Sequence, residues 1–203
     1  MELRLNIKIV MENKPKFFII PGWGQKPTDK CFTWLINLLR KKGFEVVKIF
    51  IDWDYRVMTD YVDDFKKQYR KYSGNKNYVL GFSYGAVIAF ITATELKPKK
   101  IYLCSLSPHF KEDIKFMKPW VKKLVGKKRI SDAKKQSALA VAKKLTIPSV
   151  IFYGEAEARK FPQIKIRTME TVKYAKNIKM VVVKDAPHKI NYPEYKKVII
   201  KEL

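Results

Sequence analysis

The chain has 203 residues, of which 47% are hydrophobic and 13% aromatic. That is enough apolar material for a substantial core, and it excludes an intrinsically disordered chain. Lysine and arginine outnumber aspartate and glutamate by 43 to 19, a formal net charge of +24, yet no apolar run reaches the roughly 20 residues that a bilayer-spanning helix needs.

The charge is carried by lysine far more than by arginine. Arginine occurs only at Arg4, Arg40, Arg56, Arg70, Arg129, Arg159 and Arg167, and the lysines are spread along the whole chain. A dedicated nucleic-acid surface would cluster arginines with exposed aromatics. Spread lysine suits a lysine- and isoleucine-rich proteome or a hot habitat, so no specific nucleic-acid partner is expected. The densest run, Lys118 to Lys128, is the candidate anion-attracting patch.

In chain order, Leu3 to Ile9 alternates apolar and polar like a strand and lacks the continuous apolar stretch of a secretory signal. Lys16 to Ile20 (KFFII) reads as a buried strand ending at Pro21-Gly22. Asp29 to Lys42 reads as a helix capped by Thr28 and stopped by Gly43, with Cys31, Trp34, Leu35, Leu38 and Leu39 as its apolar stripe. Phe44 to Ile51 is a second core strand. Thr59 is placed to cap a helix that carries Tyr61, Phe65, Tyr69 and Tyr72 and closes at Gly74. Asn77 to Leu80 is a short strand, and Ala86 to Leu96 is a helix apolar on most sides. Ile101 to Leu106 is a strand, and a basic stretch from Lys111 to Leu145 follows it. The strand Val150 to Tyr153, a helix over about 163–175, the strand Met180 to Val183 and a helix opened by Pro193 complete the pattern. Alternating strands and helices predict an α/β/α three-layer sandwich on a mostly parallel sheet, and no linker or repeat divides residues 1–203 into more than one domain. Cys31 and Cys104 have no metal-ligand spacing; reduced, buried thiols in a cytoplasmic protein are expected.

Chemistry concentrates at Gly81-Phe82-Ser83-Tyr84-Gly85, a G-x-S-x-G with a strand immediately before it and a helix immediately after. Such a turn strains the serine backbone and lifts its hydroxyl above the sheet edge, while the helix start offers N–H groups and a positive dipole end to an oxyanion. From about Lys16 to the C-terminus the chain resembles the α/β-hydrolase superfamily. The resemblance makes Ser83 the nucleophile and implies an oxyanion hole formed by the backbone amides of Trp23, in Pro21-Gly22-Trp23-Gly24, and Tyr84. The family's usual leading histidine in that loop is Pro21 here. The family order of serine, acid, histidine assigns the base to His188, just past the last strand, and leaves His109 as an ordinary structural histidine. For the acid, Glu157 in Gly154-Glu155-Ala156-Glu157 falls on the matching position, with Glu155 and Asp113 as alternatives.

The resemblance thus implies a Ser83–His188–Glu157 hydrolase cleaving an ester-like bond, carboxylester or thioester, through an acyl-enzyme, with no cofactor or metal. Its partner is a small-molecule acyl substrate. A short basic cap insertion is expected at about 111–146, with Phe110, Phe116, Met117 and Trp120 near a modest apolar pocket. Two other classes remain open: an inactive binding protein on the same fold, and a basic binder of nucleic acid or membrane surfaces.

Overall fold

A computed structural model describes residues 14–203, so the alternating segment Leu3 to Ile9 lies outside the described residues. Six parallel strands form one sheet: β1 (Lys16–Ile20), β2 (Glu45–Lys48), β3 (Asn77–Phe82), β4 (Lys100–Cys104), β5 (Ser149–Gly154) and β6 (Ile178–Val183). Their spatial order is β2-β1-β3-β4-β5-β6. The chain runs outward from β1 to β2, then returns to the other side of β1 to start β3. That reversal makes the β1/β3 junction the switch point, where loops leave two neighbouring strand ends in opposite directions and a crevice opens. Register across the junction runs from Lys16 beside Asn77 to Ile20 beside Gly81, which brings Pro21 next to the turn that carries Ser83.

Alternation within the strands serves both faces. Phe18 and Ile20 join one apolar cluster, Phe17 and Ile19 the other, and all four are fully buried. Helices α1 (Lys30–Lys41) and α9 (Pro193–Glu202) cover the Phe17 face. Helices α2 (Met58–Tyr72), α3 (Tyr84–Leu96), α6 (Ala138–Lys144) and α8 (Pro162–Tyr174) cover the Phe18 face. Helix α3 buries Gly85 to Phe90, Thr92 and Ala93 between the sheet, α2 and α6, which is why its sequence is apolar nearly all round. Between β4 and β5 the chain makes a 3₁₀ turn (Ile114–Phe116), α4 (Pro119–Val125), α5 (Lys127–Ala133) and α6. Helix α7 (Glu155–Lys160) sits between β5 and α8.

Several local expectations shift. The buried stripe of α1 is Phe32, Leu35, Ile36 and Leu39, rotated from the expected one; Cys31, Trp34 and Leu38 flank it, and Cys31 is only half-buried. Thr28 does not cap this helix. Asp29 takes the cap position but accepts from the Lys26 amide instead. Gly43 does end it, with φ +85° and its amide donating to the Arg40 carbonyl. Thr59 lies inside α2, not before it, and donates through its amide (3.0 Å) and hydroxyl (2.6 Å) to Asp132, tying α2 to α5. The Val57 amide at the true start donates to Asp60. Strand β2 is shorter than its apolar run, although the Ile49 amide beyond it still donates to the Ile19 carbonyl of β1.

The packing around Ser83 is tightest where glycine stands. A Cβ on Gly81 would lie 2.1 Å from the Gly85 carbonyl oxygen, and one on Gly85 would lie 2.2 Å from that of Ile20. Both obstacles are backbone and cannot swing aside. Gly43 has open space around it and only a positive φ to satisfy. Gly81→Ala and Gly85→Ala are each expected to cost about 3 kcal/mol or more in urea unfolding, against about 1 kcal/mol for Gly43→Ala.

Candidate active site

Ser83 occupies the turn between β3 and α3 with φ 56° and ψ −117°, a region a side chain enters only under compulsion. The compulsion is visible on both sides: its amide donates to the Cys104 carbonyl at 2.8 Å, and its carbonyl accepts from Ala86 at 3.0 Å. Its hydroxyl shares a 3.1 Å hydrogen bond with Ser107 Oγ, in the loop after β4.

Tyr84 opens α3, so its amide is among the helix's orphan donors. Facing it, Gly22-Trp23-Gly24-Gln25 forms a turn closed by Gln25 N–H donating to the Gly22 carbonyl at 3.0 Å. Gly24 supplies the turn's positive φ of +72°. The Gln25 side chain accepts from the Gly22 amide, and Trp53 Nε1 donates to the Gln25 carbonyl, so the loop is held from two directions. Gly22 presses on the serine, since a Cβ there would lie 3.2 Å from Ser83 Cβ. The Trp23 and Tyr84 rings stack at 6.1 Å, and neither residue's amide is committed to another acceptor among the described residues.

Glu157 and His188 meet at the far side of the same sheet edge. Glu157 Oε1 contacts His188 Nδ1. Its other oxygen accepts from the Gly154 amide (3.2 Å) and from Ser105 Oγ (2.8 Å), and the carboxylate is buried. Glu157 stands on the third residue of α7, not in an open loop, and reaches back to the amide that precedes its own helix, where a carboxylate meets the positive dipole end. That placement suits glutamate, whose extra methylene spans the turn. The Glu157 amide donates to the Ala186 carbonyl, and a Cβ on Gly154 would lie 2.2 Å from that oxygen, so the loop bearing His188 is clamped on the end of β5. The His188 ring lies against Phe82, the residue before Ser83, with centroids 4.8 Å apart. The structure thus brings Ser83, His188 and Glu157 to one edge, although the Ser83 hydroxyl pairs with Ser107 and not with the imidazole.

Glu155 and Asp113 lie elsewhere. Glu155 accepts from the Asp185 amide at the surface and lies 3.7 Å from Arg159. Asp113 is buried and takes Arg167 Nη2 at 2.6 Å, with the Phe110 amide on its other oxygen. Burial pushes the Asp113 carboxyl up even against Arg167.

Three residues here escaped sequence reasoning. Ser105 has φ 55°, and its hydroxyl bridges Glu157 and the buried Tyr195 hydroxyl, 2.6 Å away. Burial and the nearby Glu157 charge push Tyr195 well up, so it stays a donor. Ser107 holds Ser83. Ser105 and Ser107 follow strand β4 in Cys104-Ser105-Leu106-Ser107, a weak signal, and Tyr195 gave none.

The expected apolar pocket is not where the sequence put it. Phe110 is fully buried in the core, edge-on to Phe90, while Phe116 and Trp120 are 46% and 64% exposed. Short helices on a thin insertion cannot enclose both faces of those rings. A cavity of about 360 Å³ opens instead beside the Trp23 turn, lined by Trp23, Gly24, Trp53, Asp54, Tyr55 and Arg129. Among the described residues, no three His, Cys, Asp or Glu side chains converge as a metal ligand set, and no helix is long and apolar enough to cross a membrane. The basic run from Lys118 to Lys128 spans α4 and the start of α5, with its lysines exposed.

His109 is buried, shares a 3.1 Å hydrogen bond with the Tyr84 hydroxyl and, among the described residues, has no partner for Nε2. Burial pulls it from 6.5 down to about 4. The unfolded chain therefore takes up this proton near pH 6.5 and the folded chain only near pH 4, so this residue's contribution is intact above that window and lost as pH falls through it. Unfolding free energy between pH 7 and 4 should show a loss on the order of 3 kcal/mol that His109→Gln removes, measured by urea titration at each pH.

No protein-family model matches this sequence, and no curated protein matches it either. Solved structures do. Est1E from Butyrivibrio proteoclasticus, in a complex with ferulic acid, superposes with a TM-score of 0.77 over 94% of this chain and 87% of its own, at 14% identity. Mouse α/β hydrolase domain-containing protein 10 gives 0.75 over 94% and 88%, at 11% identity. A Pyrococcus furiosus esterase gives 0.69 over 94% and 82%, at 17% identity. At these identities the likeness speaks for architecture: six parallel strands between two helical layers, with a serine turn at the switch point, give this chain the α/β-hydrolase fold.

Proposed function

We propose that this protein is a serine hydrolase acting on ester-like bonds, carboxylester or thioester, with Ser83 as nucleophile, His188 as general base and Glu157 as the acid that orients it. The observation that carries the reading is the contact of Glu157 with His188 Nδ1, at the same sheet edge as a strained serine and two uncommitted amides. Nucleophile, base and oxyanion donors come from the ends of β1, β3 and β6, and the acid from the start of α7 beyond β5. Structural neighbours that include an esterase fit this class of reaction.

In the reaction, a neutral His188 accepts the Ser83 proton through Nε2, because Nδ1 faces the Glu157 carboxylate. Ser83 Oγ attacks the carbonyl carbon, and the Trp23 and Tyr84 amides hold the oxyanion of the tetrahedral adduct. The imidazolium returns its proton to the departing alkoxide or thiolate. Water, deprotonated by the same imidazole, then cleaves the acyl-serine and restores the hydroxyl. Buried Glu157 stabilises the imidazolium while Ser105 and the Gly154 amide hold its second oxygen. The small insertion between β4 and β5 serves as the cap over this site.

An inactive binding protein on the same fold is the competing reading, and one experiment separates them. A fluorophosphonate should modify Ser83 and no other serine, located by mass spectrometry. Ser83→Ala should abolish turnover of a 4-nitrophenyl ester with unfolding behaviour retained; label on another residue, or an active Ala variant, defeats the assignment.

Glu157→Gln should lower kcat by orders of magnitude, roughly 10³–10⁴-fold, because the imidazolium loses its counter-charge and its tautomer is no longer fixed. Glu155→Gln should change kcat by less than about threefold, since Glu155 pairs only at the surface. Steady-state kinetics on the same ester checks both.

A further inference from the structure

The cavity beside the Trp23 turn holds a charge that the proposed chemistry does not use. Of the basic side chains between β4 and β5, Arg129 alone is not fully exposed; Lys118, Lys122, Lys123, Lys127 and Lys128 all face solvent. Arg129 reaches inward from α5, its guanidinium lies 5.4 Å over the Trp23 ring, and its Nε donates to the Arg56 carbonyl at 3.1 Å. Among the described residues no carboxylate stands within 4 Å of it. Asp132, three residues along α5, is taken by both donors of Thr59, and the polar side chain beside the guanidinium is the uncharged Tyr61 hydroxyl. Asp54 lines the cavity at its exposed side, where solvent screens it.

A half-buried guanidinium without a counter-charge is costly to desolvate, and its Nη donors form a planar fork that matches a carboxylate. The same Trp23 that lies beneath this fork contributes one of the amides assigned to the oxyanion hole. On the footing of the serine-hydrolase reading, we propose that Arg129 binds a carboxylate of the substrate, so that the enzyme acts on esters or thioesters carrying a second, anionic group. The aromatic walls of Trp23, Trp53 and Tyr55 would hold the chain between ester and carboxylate.

The test compares two probes of equal length, 4-nitrophenyl hexanoate and the mono-4-nitrophenyl ester of adipic acid, through the ratio of their kcat/KM values. Wild type should favour the adipate ester, mainly in KM. Arg129→Gln should lower the ratio on the order of tenfold to a hundredfold, and Arg129→Lys should recover part of it. The Arg129-dependent part should persist at about 0.5 M salt, whereas preference caused by the exposed lysines should vanish there and in a Lys122→Gln/Lys123→Gln/Lys127→Gln variant. A ratio equal in wild type and Arg129→Gln, or one removed entirely by salt, overturns the proposal. Adipate itself is titrated into Ser83→Ala, with tryptophan fluorescence as the readout. Binding that disappears when Arg129→Gln is added supports the carboxylate site even if no ester is hydrolysed, in which case the catalytic reading alone has failed. Absence of adipate binding together with an unchanged ratio overturns the site.

Discussion

The start of α3, whose N–H groups are the proposed oxyanion donors, is placed by direct backbone contact with β1 and β3. Gly85 passes within van der Waals reach of the Ile20 and Pro21 carbonyls, and Gly81 lies against the Gly85 backbone. Any side chain at either position would push α3 off the sheet. With α3 displaced, Ser83 would lose the hydrogen bond to Cys104 that holds its strained backbone, and Trp23 would no longer face Tyr84. A close approach of three backbone segments therefore precedes everything else at this site.

A second, electrostatic arrangement fixes the opposite side. Glu157 is a buried carboxylate surrounded by donors: the Gly154 amide, the Ser105 hydroxyl and His188. With both oxygens engaged, the buried carboxylate is fixed in one orientation at the end of β5. Tyr195, from the last helix, completes the shell by binding Ser105. Tyr195 also packs α9 on the Phe17 face, so the last helix reaches the site through one hydroxyl behind the carboxylate.

The lysine excess and Arg129 act on different length scales. Exposed lysines raise a diffuse field that salt screens within about 10 Å, and such a field attracts anions without choosing among them. A single inward guanidinium stacked on Trp23 acts through contact. The inward Arg129 and the exposed Lys118 to Lys128 run thus sit on one short insertion, so a contact charge and a diffuse one share the same segment.

How much of this was legible in the sequence depends on how local each feature is. Strand β1, its two-faced alternation, the Gly43 stop and the Gly81–Gly85 turn follow from neighbouring residues, because backbone strain and side-chain period are set within a few positions. The buried stripe of α1 lies part of a turn from the one its spacing predicts, since which of several apolar residues face the sheet depends on how the helix rolls against it. Thr59 looked like a cap because hydroxyls near helix starts usually are; its actual partner, Asp132, is 73 residues away. The roles of Ser105, Tyr195 and Arg129 come from contacts between segments tens of residues apart, and no periodicity records such meetings. The sequence by itself determined the parallel α/β architecture and the strained serine turn, both consequences of local sterics and alternation. Only the tertiary structure decided which carboxylate meets His188 and which charge faces the cavity, because those depend on how loops from different strands converge at one sheet edge.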